Sequence, residues 1–211
     1  MRTMKIVIFG ASGKTGRQLL EMALKQNHSV TAFVRNPSSL SDLHNSNLTV
    51  LQGDILDATS VEQAVENQDV VLLAVGVPPN VKEPVLSTGT KHILQAMEKH
   101  GVKRIIVESG IGVGETISRA HLTKKLMIST ILKRVYADKA LQEQYVKESN
   151  RDWTILHAAD LTNGPFTGTY RMGEDLKLGI KASISRSDVA DCMLKLLTDS
   201  SSYHKSFTLA Y

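Results

Sequence analysis

Apolar runs of strand length alternate with stretches of helical spacing along most of the chain. KIVIF at residues 5–9 is an expected strand, apolar without interruption from Ile6 and stopping at Gly10. Helical spacing then carries Leu19, Leu20 and Ala23 through residues 15–26. Further strands are expected at 30–34, closed by Arg35-Asn36-Pro37, and at 48–51, ending at Gly53-Asp54. Ser60 is the expected cap of a short helix with Val61, Ala64 and Val65 on its inner face. A fourth strand is expected over 70–75, and a helix over 85–100 presents Ile93, Leu94 and Met97. A fifth strand falls at 104–107, one long helix spans 123–148, and a sixth strand lies at 153–156.

Strands apolar on both faces, separated by helices, imply a parallel sheet covered on both sides. Right-handed crossovers then favour the α/β doubly wound sheet, the Rossmann fold, as one domain over residues 1–211. Residues 161–182 break the alternation: they are rich in glycine and turn residues and hold two short possible strands. Such a late substrate-side insertion is expected over the carboxyl ends of the strands. Residues 186–198 form a closing helix, capped by Ser185 or Ser187, and 206–209 are an expected edge strand.

The densest chemistry is Gly10-Ala11-Ser12-Gly13-Lys14-Thr15-Gly16, directly after the first strand and opening the first helix. Glycines there permit a tight turn, let backbone N–H groups approach a pyrophosphate, and let helix and strand pack closely. The spacing is G-x-x-G-x-x-G, and its place after KIVIF makes it a dinucleotide signal. A mononucleotide P-loop would need a glycine at position 8, which holds Ile8 inside the strand. An acidic residue at the end of the second strand would accept from the ribose 2′-hydroxyl of NAD; Arg35 stands there instead. A guanidinium pairs with a 2′-phosphate, so the expected cofactor is NADP(H), with Lys14 and Arg17 adding positive charge nearby.

Composition adds limits. With 211 residues, a net charge of +4 and scattered Lys and Arg, the chain offers no basic tract for nucleic acid. No apolar run approaches the roughly 20 residues of a membrane span. The opening MRTMK lacks a secretory core, so a cytoplasmic protein without membrane contact is expected. Cys192 is the sole cysteine, and the seven histidines show no paired spacing, so no metal site is expected.

The segments KIVIFGASGKTG, TAFVRNPSSL, GDILD, VVLLAVG, AMEKHGVKRIIV, VKES, GPFTGTY and ISRSDVADCMLKLLT resemble the atypical short-chain dehydrogenase/reductases with NAD(P)-binding, NmrA-like domains. Within that group the chain is most similar to the biliverdin reductase B type of NADPH-dependent flavin reductases. The resemblance implies that Gly10, Ser12, Gly13, Thr15 and Gly16 wrap the pyrophosphate, with Arg35 on the 2′-phosphate. It further implies Asp54 and Ile55 at the adenine, and Ala74, Val75 and Gly76 under the ribose. Ser109 and Gly110 would lie near the nicotinamide, and Leu161 would border its pocket. The group often carries two serines after the fifth strand, where this chain reads Glu108-Ser109-Gly110. Ser109 matches the first, or with a one-residue shift the second, and is the candidate catalytic side chain. Glu108 is unusual at this strand end and could be a buried acid, with a solvated carboxylate the favoured expectation.

The Tyr-x-x-x-Lys pair of ordinary short-chain dehydrogenases is missing, because Lys139 follows Tyr136 by three residues and position 140 is alanine. Two functions remain open. One is hydride transfer from NADPH to a flavin, a biliverdin-like tetrapyrrole or a similar planar conjugated acceptor, with Tyr136, Phe166 and Tyr170 as aromatics that could stack on it. The other is an NADP(H) sensor without catalysis, like the NmrA group.

Overall fold

The computed structural model describes residues 3–119, 121–179 and 181–211. Met1 and Arg2 of the opening MRTMK, Ala120, and Ile180 of the 161–182 segment lie outside the described residues. The first half runs β1 (Lys5–Phe9), α1 (Lys14–Lys25), β2 (Ser29–Val34), β3 (Leu48–Gln52), α2 (Ala58–Val65), β4 (Val70–Leu73) and α3 (Val85–Lys99). It continues through β5 (Arg104–Gly110), α4 (Leu122–Ser129), α5 (Lys133–Glu148) and β6 (Asp152–Ala158). The last part holds β7 (Asp160–Thr162), β8 (Arg171–Gly173), β9 (Ser183–Ser185), α6 (Arg186–Lys195) and β10 (Lys205–Ala210).

Eight strands form one sheet in the order β3-β2-β1-β4-β5-β6-β10-β8, parallel except for β8. The expected doubly wound Rossmann fold is therefore what the chain adopts. Alternation along β1 explains why the run had to be apolar throughout. Ile6 and Ile8 join the core under α1 and α6, while Val7 and Phe9 join the core under α2 and α3. Each such fully buried side chain contributes about 1.5–3 kcal/mol of transfer free energy. The order in which strands are added reverses between β1 and β4, and the crevice at their carboxyl ends is where this fold binds ligands.

Several expectations on elements are corrected. Asp57, not Ser60, caps α2: its carboxylate accepts from the N–H groups of Thr59 and Ser60 at 3.1 and 3.2 Å. The long helix is two, α4 and α5. Thr130 Oγ1 donates to the Leu126 carbonyl at 2.8 Å, and Ser129 Oγ to the same carbonyl at 2.9 Å. These hydroxyls compete with the backbone for the last carbonyls of α4 and let the chain turn there. β4 stops at Leu73, which frees Ala74–Gly76 from the sheet. β10 is interior rather than an edge, because part of the insertion returns as β8 and pairs antiparallel to it. Ser185 is the cap of α6, accepting from the Asp188 N–H at 3.0 Å.

The rest of the insertion is pinned to α6. The Asp188 carboxylate accepts from the N–H groups of Thr167 and Gly168 and from the hydroxyls of Thr167, Ser185 and Tyr211. These bonds fix the distance between GPFTGTY and the closing helix.

Candidate active site

Strand β1 ends in a left-handed turn at Gly10 (φ +87°), which only glycine adopts without cost. A Cβ on Gly10 would stand 2.5 Å from the Ala74 carbonyl oxygen, and one on Gly16 only 2.0 Å from the Gly10 carbonyl oxygen. Gly10 and Gly16 are thus required for strand, turn and helix to meet. Gly13 faces outward, its N–H donating to Gly10 O at 2.8 Å. Helix α1 opens at Gly13 with no side-chain cap and no acidic residue in its first turn. Its positive end is left for an anion.

Two cavities meet at this turn, sharing Gly13 and Ala74–Gly76 as common wall. The first, about 380 Å³, is bounded by Gly10, Ser12, Arg35, Asp54 and Ile55. The Arg35 side chain is exposed and has no partner among the described residues. Asp54 is held in place by accepting from the Leu56 N–H at 2.9 Å. The second, about 890 Å³, is bounded by Lys14, Thr15, Ser109, Gly110 and Leu161. Of the residues assigned from the sequence to the pyrophosphate, 2′-phosphate, adenine, ribose and nicotinamide, all lie on this double cleft except Gly16, which packs beneath the turn.

Two charges differ from expectation. Arg17 does not face the cleft; its guanidinium is held by Glu21 at 2.5 Å and by Asp42 at 3.0 and 2.5 Å. Lys14 faces the second cavity, away from Arg35. Of the three aromatics, Tyr136 lines the second cavity, whereas Tyr170 donates to Asp191 at 2.7 Å and Phe166 lies outside both cavities.

The floor of the second cavity holds more chemistry than the sequence disclosed. Glu108 is buried, not solvated, and accepts from Thr15 Oγ1 at 2.9 Å. Burial pushes its carboxyl above the usual range, with Lys139, the Thr15 bond and Arg186 pulling the other way. Burial likewise lowers Lys139, against the attraction of Glu108, Glu143 and Asp138. Ser109 donates to Glu143 Oε1 at 2.5 Å, and His157 Nε2 lies 3.0 and 3.1 Å from the two Glu143 oxygens. His157, at the end of the sixth strand, reads from the sequence as a core or rim histidine near the pocket, whereas Glu143 escapes notice there. The signal for Glu143 is the helix face itself: Tyr136, Lys139 and Glu143 fall at i, i+3 and i+7, one polar stripe along α5.

A Rossmann sheet with a glycine turn opening onto a divided crevice defines a dinucleotide-binding protein. The sequence model of the NAD(P)H-binding family matches residues 10–200, and the chain belongs to that family. An uncharacterised chloroplastic protein of Arabidopsis thaliana is 28% identical over 96% of this chain and 75% of its own. Among solved structures, the oxidoreductase YlbE of Lactococcus lactis superposes with a TM-score of 0.84 at 22% identity, over 98% of this chain and 90% of that one. ChuY, an anaerobillin reductase of Escherichia coli O157:H7, superposes with a TM-score of 0.83 at 22% identity, over 97% and 96%. A short-chain dehydrogenase/reductase of Veillonella parvula in complex with NADP does so with a TM-score of 0.81 at 20% identity, over 100% and 95%. Among the described residues no helix is long and apolar enough to cross a membrane.

Proposed function

We propose that the protein is an NADPH-dependent reductase of planar conjugated acceptors, flavins or bilin-like tetrapyrroles, related to the biliverdin reductase B type. The observation that carries this reading is the divided cleft: a narrow compartment ending at Arg35, joined through the glycine turn to a wider one floored by Ser109. The residues present fit the cofactor. Gly10, Ser12, Gly13, Thr15 and the uncapped end of α1 would hold the pyrophosphate over the packing glycine Gly16, with Lys14 at its rim. Arg35 would take the 2′-phosphate, Asp54 and Ile55 the adenosine, and Ala74, Val75 and Gly76 the ribose. Ser109, Gly110 and Leu161 would border the nicotinamide, which supplies a hydride when bound.

The wider compartment suits an acceptor both flat and anionic. Lys14 and Lys139 line it without ion-pair partners among the described residues, and Arg186 stands at its edge. Met127, Leu132 and Leu161 give it apolar surface. The anaerobillin reductase ChuY shares the fold over nearly its whole length, which supports a bilin-like acceptor as a test substrate. Hydride transfer to such a ring asks mainly for proximity and orientation, so a missing Tyr-x-x-x-Lys pair is no obstacle.

The test is a panel of flavins, quinones and bilins assayed for NADPH oxidation. Turnover of at least one, abolished when Arg35 and Gly13 are altered together, is the expected result. Tight NADPH binding with no turnover of any acceptor would replace this reading with that of an NADP(H) sensor.

A further inference from the structure

A smaller cavity of about 290 Å³ lies behind the floor of the acceptor compartment, and Glu143 and His157 line it. Ser109 lines the acceptor compartment on the other side. The two cavities are therefore separated by a continuous set of hydrogen bonds: Ser109 Oγ to Glu143 Oε1 at 2.5 Å, and Glu143 to His157 Nε2 at 3.0 Å. All three residues are 3% exposed. A buried serine, carboxylate and imidazole in series would be a costly way to fill a core that Leu or Val could fill.

We propose that His157, Glu143 and Ser109 deliver the proton that completes reduction of the acceptor, drawing it from water in the rear cavity. This rests on the reductase reading above. Reduction of a neutral conjugated acceptor by a dihydronicotinamide takes one hydride and one proton. The acceptor gains two electrons and the dihydronicotinamide loses two. A planar acceptor in the front compartment displaces water beside Ser109, so the proton has to come through the protein or around the ligand.

In the resting arrangement Ser109 donates to the Glu143 carboxylate. His157 takes a proton at Nδ1 from the rear cavity as its Nε2 proton passes to Glu143, which reverses that bond. The carboxyl then donates to Ser109 Oγ, and the serine's own O–H turns to the front compartment. As negative charge builds on the acceptor, the Ser109 O–H bond breaks toward it and Glu143 restores the proton to Oγ. The imidazole, now protonated on Nδ1 and bare on Nε2, returns to its starting tautomer by turning over or by exchange with water in the rear cavity. Imidazole is the side chain that exchanges protons most readily near neutrality.

Charged groups line the route. Lys139 and Lys147 on α5 face Glu143, the latter at 3.8 Å. Burial raises the Glu143 carboxyl, yet the bonds from His157 and Ser109 and the charge of Lys147 outweigh it and hold it below the usual range. A proton on Glu143 is thus passed on rather than kept. In the rear cavity Glu115, Glu174 and Asp175 stand with His204 and Lys205. Glu174 there pairs with Lys205 at 3.7 Å, and Lys147 lines the same cavity.

The experiment compares two acceptors. A p-quinone needs hydride and proton, whereas the N-methylphenazinium cation is completed by hydride alone. His157→Gln and Glu143→Gln, each keeping an amide donor in place, should slow quinone reduction at least tenfold more than phenazinium reduction. Equal losses for both acceptors would overturn the relay while leaving the reductase reading intact. No turnover of either acceptor by the unaltered protein would overturn both. A second measurement needs no cofactor. Carbon-13 NMR of the Glu143 carboxyl should show its titration moving up in His157→Gln, because burial is then less opposed. An unmoved titration would show that imidazole and carboxylate are not coupled, and the relay would fail.

Discussion

At the scale of single residues, burial has decided the chemistry of Glu108 and Tyr136. Glu108 is a folded-state acid pushed up by burial, so the native protein holds a proton that the unfolded chain releases above about 4.5. Its contribution to stability is present below that value and is lost as pH rises through the raised folded value. Glu108→Gln should therefore gain melting temperature over the unaltered protein as pH rises from about 4.5 to neutrality. Thermal melts in a pH series check this, and a difference independent of pH would contradict the burial argument. Tyr136 shares a compartment with Lys139, yet burial, and then Asp160, raise its phenol rather than lower it. A tyrosine acid needs the opposite shift. Tyr136→Phe should keep flavin reduction within about tenfold, where loss of a general acid costs 10²–10⁴-fold. A hundredfold loss with unchanged NADPH affinity would restore the tyrosine mechanism.

At the scale of elements, the glycine turn separates folding from binding. Gly16 is buried under Gly10, and a Cβ there has 2.0 Å to the carbonyl oxygen. Gly16→Ala should destabilise by roughly 1–3 kcal/mol or more, as overpacking does. Gly76, beyond the end of β4, has nothing within 4 Å of the place a Cβ would take, and it borders both compartments. Gly76→Val should keep its melting temperature and bind NADPH at least tenfold more weakly. Calorimetry with melting curves separates the two variants; a stable, tightly binding Gly76→Val would move the cofactor away from this wall. Helix α3 shows the same logic in a partner element. The Asp138 carboxylate of α5 accepts from the N–H groups of Leu86 and Ser87 at 2.8 and 2.9 Å, capping α3 from outside. No pattern inside α3 announces that cap.

At the scale of the whole molecule, the sheet brings β2 and β4 to opposite sides of β1, so Arg35 and Gly76 face one crevice. Cofactor choice belongs to this scale, because Arg35 acts only if the pyrophosphate is already fixed at the turn. NADP(H) should bind more tightly than NAD(H) by roughly 1.5–3 kcal/mol, the range of a charge-assisted hydrogen bond. At a hundred times its Kd, NADPH should add about 2.7 kcal/mol to global stability. Arg35→Ala should remove most of the gap between the two cofactors in titration calorimetry. Equal affinities in the unaltered protein would end the 2′-phosphate assignment.

What the sequence determined by itself was whatever depends on local order. KIVIF followed by spaced glycines prescribes strand, turn and helix, since periodicity and φ are local properties. Uninterrupted apolar strands prescribe a sheet covered on both faces. Residues on the cleft were legible for the same reason, lying at strand ends and in the turn. The tertiary structure alone decided what depends on distant pairs. Thr15 and Glu108 are 93 residues apart, Ser109 and Glu143 are 34 apart, and Arg17 finds Asp42 across 25. Ionisable groups take their character from such neighbours and from burial. Glu108 reads as an ordinary surface acid, and Arg17 as an available cation, until the sheet closes around one and Asp42 meets the other.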